Sequence, residues 1–255
     1  MHGSKEKTII KGAHILKERL PEMRIIRTGG YGHGEMLTET GVAVCVISET
    51  TWRRSYALLI KGTGKIVAED LGSWKAEKIM EQAQRRFEEL KQENAGDSRD
   101  LQRHTYKRIY PGIAMYEALR SAGVEQDKAV WYIHEYYQRF CKKAARGLQA
   151  IMKLPGMVKK APELFVSISV KSFSESSGFQ YEWPNLPQDT VGFDIVKCPY
   201  FNTCTRYGCP GITVAFCDSD DCTYGNMHPC LIWGRTSTLG HGAHCCDFRL
   251  TSVKR

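Results

Sequence analysis

Apolar residues recur at helical spacing from about Ser48 to Ala145, then give way to alternation. From about Ser48 to Ile60 the positions Trp52, Tyr56, Leu59 and Ile60 predict a short helix, with Gly62 as its stop. A longer helix follows Ser73, with Ala76, Met80, Ala83, Phe87 and Leu90 on one face and Glu, Lys and Arg elsewhere. The polar run Glu93-Asn94-Ala95-Gly96-Asp97-Ser98 breaks it and is the best linker in this half of the chain. Two more helices are expected, Pro111–Ser121 and Gln126–Ala145, the second with Val130, Ile133, His134, Tyr137, Phe140 and Cys141 along an apolar stripe. His134 and Cys141 lie seven residues apart on that stripe, where a core histidine beside a core thiol is a simpler reading than a ligand pair. Cys45, inside the apolar run 42–46, is read as core in the same way.

After Pro155-Gly156 the period changes. Phe165-Val166-Ser167-Ile168-Ser169-Val170 alternates like a half-buried strand. The runs Gly178–Trp183 and Val191–Val196 resemble an antiparallel pair joined by the loop 184–190. Helical turns are expected around Tyr200–Tyr207 and Ile212–Thr223. Two last strands, Leu231–Thr238 and His244–Thr251, flank Leu239-Gly240-His241-Gly242, a turn suited to positive φ. The fold class is therefore α+β, with helices first and an antiparallel unit last. The expected divisions are an irregular Gly-rich arm over 1–40, a helical region over 41–155 and a cysteine-bearing α+β unit over 156–255.

Composition narrows the class. The chain has 255 residues, 42% hydrophobic and 25% charged, which are globular values. No apolar run approaches the roughly 18 residues that span a bilayer, and the first 27 residues lack an apolar signal core. No membrane partner is expected, and the cytoplasm is the expected compartment. Thiols stay reduced there, so disulfides are not expected. The net charge of +8 is dispersed over helix faces rather than gathered into a basic surface, which argues against nucleic acid and suits an anionic small substrate. Whether copies of the chain associate stays open.

The candidate chemistry lies near the C-terminus. Eight of the ten cysteines fall in the 49 residues from Cys198 to Cys246. Thiolates are soft ligands and strong nucleophiles, so such clustering points to chemistry or to metal. No Cys-x-x-Cys pair occurs, and the spacings match no zinc ribbon, zinc finger or ferredoxin. Cys198, Cys217 and Cys246 come from three different elements and converge only if the fold brings them together. Cys245 and Cys246 point to opposite faces of a strand, so one of them alone enters a given site. In Cys217-Asp218-Ser219-Asp220 a helical turn places the Asp220 carboxyl on the face of the Cys217 thiol, as nucleophile and acid/base or as two metal ligands. His228 and Arg235 are the nearest cations to offset that carboxylate.

From about Gly112 to Arg249 the chain resembles the L-2-amino-thiazoline-4-carboxylic acid hydrolase family. The resemblance is carried by Ala114-Met115-Tyr116-Glu117-Ala118-Leu119-Arg120-Ser121-Ala122-Gly123, by Gly192-Phe193-Asp194-Ile195-Val196-Lys197-Cys198-Pro199-Tyr200 and by Cys217-x-x-Asp220. His228-Pro229, Arg235-Thr236-Ser237-Thr238-Leu239 with Gly242, and Cys246-Asp247-Phe248-Arg249 complete it. It implies a hydrolase that opens a cyclic, amidine-like sulfur heterocycle at a C–N or C–S bond to give a carbamoyl-cysteine. On this reading Cys217 is the nucleophile and Asp220 positions water or moves protons. Cys198 and Cys246 assist as thiols, and Arg235, with His228 and Thr236, binds the substrate carboxylate. No cofactor is expected. The alternative makes Cys198, Cys217 and Cys246 ligands of zinc or an iron–sulfur cluster, in an enzyme or in a small-molecule sensor. The closing strand, Gly242 to Phe248, also resembles vinyl-reductase-like binding domains. Cys204, Cys209, Cys222, Cys230 and Cys245 fall outside the family pattern.

Overall fold

A computed structural model describes the backbone strands Met23–Ile25, Gly34–Thr38 and Ala43–Val46, and all of residues 56–253. Contacts divide the chain into two units, Met1–Ser55 and Tyr56–Arg255. In the first, β1 (Met23–Ile25), β2 (Gly34–Thr38) and β3 (Ala43–Val46) form an antiparallel meander in that order. Two of these strands lie in the stretch expected to be an irregular arm. The side chain of Cys45 and the glycines Gly29, Gly30 and Gly32 of the expected arm lie outside the described residues.

The second unit is α+β. Its helical layer comprises α1 (Leu58–Leu71), α2 (Ser73–Glu93), α3 (Arg99–His104), α4 (Tyr110–Ser121), α5 (Gln126–Met152) and α6 (Met157–Ser172). A five-residue π-helix, Thr105–Ile109, joins α3 to α4 without a break. The core stripes of these helices interlock: α2 packs on α4, and α1 packs on α2 and α5. Ile60, Ile79, Leu90, Ile109, Ile113, Leu119 and Ile133 are buried together. Among the described residues no helix is long and apolar enough to cross a membrane.

The helix expected over 48–60 begins only at Leu58, and Gly62 does not stop it. A Cβ at Gly62 would lie 2.1 Å from Cε2 of Tyr136, so this glycine admits α5 into contact with α1. The polar break at 93–98 is a tight turn rather than an interdomain linker. Ser98 caps α3, and Asp97 accepts hydrogen bonds from Thr105 and Tyr110.

The strand expected at 165–170 is helical. Ala161, Phe165 and Ser169 are buried at intervals of four, and Ile168 faces outward with 59% of its surface exposed. Alternating β-branched residues imitate a strand here, but α6 buries an i, i+4 stripe against β5 and β7.

The C-terminal sheet is antiparallel with order β4 (Gln180–Glu182), β5 (Thr190–Lys197), β7 (Cys246–Ser252), β6 (Leu231–Gly234). Phe193 pairs with Phe248 and Ile195 with Cys246. Phe193, Ile195, Cys246, Phe248 and Leu250 are buried on the inner face, whereas Asp194 and Arg249 form an ion pair at 2.6 Å outside the core set. Helices α7 (Pro199–Arg206) and α8 (Thr213–Tyr224) fill the connection from β5 to β6.

One expectation about the thiols is reversed. Cys141 and Cys222 form a disulfide that ties α5 to α8. His134 is no partner of Cys141: its Nε2 meets the Asp218 carboxylate at 2.9 Å. Helices α5 and α8 lie side by side, which brings thiols 81 residues apart into bonding distance.

Candidate active site

The β5–α7 junction, α8, β7 and the segment before β7 converge on one cavity. It holds about 580 Å³, part of it open to solvent, and is lined by Cys198, Cys217, Ser219, Asp220, Arg235 and Cys246 together with Arg108, Ile195 and six aromatic rings. Tyr137, Phe173, Phe179, Tyr200, Phe216 and Phe248 make its walls largely apolar, with a few polar groups aimed inward.

Local structure explains each placement. Cys198 is the N-cap of α7, with Pro199 at the first helical position, where the missing N–H costs nothing. Burial pushes its thiol up to about 12, against hydrogen bonds from the Phe201 and Tyr200 amides, so Cys198 is neutral near pH 7. Cys217 and Asp220 stand three apart on α8 and face the same cavity. Cys246 is the first residue of β7 and points inward, whereas Cys245 lies near the Ser237 hydroxyl and does not line the cavity.

The two facing thiols are inequivalent. A hydrogen bond from Cys246 is the largest influence on Cys217 and holds it below the usual thiol range. Burial opposes this, and the Thr238 hydroxyl and the Arg235 charge reinforce it. Cys246 moves in the opposite sense, because ionising it would break that same bond and because it is buried; the Leu239 amide, donating to its sulfur at 3.2 Å, opposes the rise. When the pair gives up one proton, the proton that remains sits on Cys246 and the negative charge falls on Cys217. Close approach at this point requires glycine: a Cβ on Gly240 would lie 2.9 Å from Cys217 Sγ.

Asp220 is raised to about 6 by burial, against the Arg235 charge. Its side chain keeps 30% of its surface accessible and it lines the cavity.

Arg235 is committed to partners within the protein. Its side chain is 1% accessible, and its guanidinium donates to Asp220 at 3.3 Å, to Asp221 at 2.5 Å and to the Cys217 carbonyl at 2.8 Å. It anchors the start of the closing segment to α8.

The remaining expected binders lie elsewhere. His228 does not line the cavity; its Nδ1 accepts the Cys230 amide in the turn before β6. The Thr236 amide and hydroxyl donate to Asp247, which also accepts from the Ser237 amide and hydroxyl. Burial would raise the Asp247 carboxyl, but these donors outweigh it and hold it below the usual range.

Arg108 and the aromatic walls went unnoticed in the sequence. The only sequence-level sign of Arg108 was a basic pair, Lys107-Arg108, between two helical segments. Among the described residues no three His, Cys, Asp or Glu side chains are placed to hold a metal ion.

Comparison with known proteins gives one strong finding. The sequence profile of the L-2-amino-thiazoline-4-carboxylic acid hydrolase family matches residues 102–250, more than half of the chain and the whole of this cavity's lining. No curated protein matches. A solved structure, the Fe(II) unliganded H-NOX protein from K. algicida, is similar at 10% identity over 78% of this chain and 97% of that one, with a TM-score of 0.35. That likeness is too slight to carry an argument about fold or function.

Proposed function

Given that the chain belongs to the L-2-amino-thiazoline-4-carboxylic acid hydrolase family, we propose that its cavity opens a thiazoline-type ring by attack of the Cys217 thiolate. The observation that carries this reading is the polarised Cys217–Cys246 pair facing Asp220 in one apolar cavity.

The ring carbon between nitrogen and sulfur is the electrophile. The Cys217 sulfur adds to it, forming an S–C bond and a tetrahedral carbon. Collapse breaks the bond to one ring heteroatom, which leaves with a proton from Asp220 in its acid form. Water then adds to the same carbon and gives up its proton to the Asp220 carboxylate. The bond to Cys217 breaks, the thiolate returns, and a carbamoyl product leaves with the elements of one water added. A carboxyl held near 6 changes protonation state readily at neutral pH, as both proton transfers require. The neutral Cys246 thiol steadies the charge on Cys217 before attack and after release. Arg235 fixes the carboxylates of α8 rather than touching substrate.

Turnover of 2-aminothiazoline-4-carboxylate by the purified protein, with mass spectrometry of acid-quenched enzyme, tests this directly. Expected are a carbamoyl-cysteine product, a transient adduct on Cys217, and a loss of at least about a thousandfold in kcat for Cys217→Ser. Undiminished turnover by that variant sinks the nucleophile. Near-stoichiometric zinc or iron in protein purified without chelator would make the thiols ligands and sink it equally.

A further inference from the structure

Arg108 stands in the π-helix Thr105–Ile109, a rare helical bulge of the kind found at functional sites. It lines the thiol cavity and also a second cavity, formed by Arg103, His104, Lys107 and parts of α6. Its surface remains accessible, unlike that of Arg235.

A buried chain of hydrogen bonds orients it. Arg108 Nη1 donates to the Tyr200 hydroxyl at 3.4 Å. Nδ1 of His104 lies 3.1 Å from that hydroxyl, and its Nε2 lies 3.0 Å from the Ser172 carbonyl. A carbonyl only accepts, so His104 carries its proton on Nε2 and receives the Tyr200 proton on Nδ1. The Tyr200 oxygen thus presents its lone pairs to Arg108.

Three charged residues line the thiol cavity: Arg108, Asp220 and Arg235. Arg235 is neutralised by Asp220 and Asp221, whereas no carboxylate among the described residues lies within ion-pairing distance of Arg108. An unmatched, oriented guanidinium in an aromatic cavity is a recognition element for a planar carboxylate.

We infer that Arg108, steered by Tyr200, binds the carboxylate of a planar anionic heterocycle in this cavity, with Lys107 and Arg103 marking the approach. The inference rests on the ring-opening reading for the identity of the substrate, though not for the existence of the anion site.

The test compares wild type, Arg108→Gln and Arg108→Lys with 2-aminothiazoline-4-carboxylate and with its 4-carboxamide. For Arg108→Gln, KM for the carboxylate should rise at least about tenfold while KM for the carboxamide stays within about twofold, and Arg108→Lys should recover only part of the loss. Equal changes for both substrates, or none, overturn the proposal and leave the hydrolase reading standing. If the wild type opens neither ring, calorimetric binding of the carboxylate and carboxamide to unreacted protein decides. A preference for the carboxylate that Arg108→Gln removes keeps the anion site while the ring-opening reading falls. The absence of any such preference overturns the anion site as well.

Discussion

At the scale of single residues the first feature to test is the hydrogen bond from Cys246 to Cys217. Cys246 donates to Cys217, so replacing it with alanine removes the largest influence lowering the Cys217 thiol. The rate of iodoacetamide alkylation at Cys217 near pH 7 should then fall about tenfold, and the midpoint of its pH profile should move up, consistent with the loss of one charge-assisted hydrogen bond. An unchanged profile would mean that Thr238 and Arg235 suffice. Asp220 makes a separate prediction. Because burial raises it to about 6 and ring opening takes its proton, kcat/KM should decline as pH rises through that value, and this limb should vanish in Asp220→Asn. Gly240 lies against the Cys217 thiol: Gly240→Ala places a methyl 2.9 Å from Cys217 Sγ and should cut activity at least about tenfold. Its melting temperature separates this from unfolding, because an overpacking cost of about 1–3 kcal/mol leaves a folded protein.

Helix α8 carries Cys217, Asp220 and Asp221 and is fastened at several points. Arg235 binds its carboxylates and a backbone carbonyl, the Trp233 indole donates to Asp221 at 2.7 Å, and the Cys141–Cys222 disulfide ties it to α5. Closing a loop of 81 residues' separation restricts the unfolded chain and stabilises the fold by about 2–4 kcal/mol. A dithiol reductant should therefore lower the urea midpoint of the wild type and leave the Cys141→Ser/Cys222→Ser variant unmoved. Equal midpoints with and without reductant would show that the bond contributes nothing. The length of α6 carries a different lesson. Its Phe165–Val170 run alternates like a strand, yet the register against the sheet is set by Ala161, Phe165 and Ser169, one helical turn apart. Local alternation was outvoted by the longer stripe it belongs to.

For the whole molecule, Asp220 couples the site to stability. Its carboxyl titrates near 3.8 when unfolded and about 6 when folded, so the native state binds protons more tightly between those values. Its contribution to stability is fully present below pH 4 and is lost as pH rises through 6, a swing of about 3 kcal/mol. Relative to the wild type, Asp220→Asn should gain stability as pH rises from 4 to 7. A difference between the two proteins that does not vary with pH in denaturant titrations would refute the raised carboxyl.

The α+β class, the helix after Ser73, the helix from Gln126 (though it runs on past the expected Ala145 to Met152) and strands β5 and β7 were legible because amphipathic periods and turn residues are local properties. The order of the cysteine, glycine and aspartate motifs sufficed to indicate the family. Only the tertiary structure decided which side chains meet. It set Cys198, Cys217, Asp220 and Cys246 around one cavity, left His228 and Thr236 in supporting turns, spent Arg235 on carboxylates of its own and put Arg108 at the cavity wall. Convergence of this kind depends on packing between elements far apart in the chain, and a pair such as Cys141 and Cys222 has no signature until two helices lie side by side.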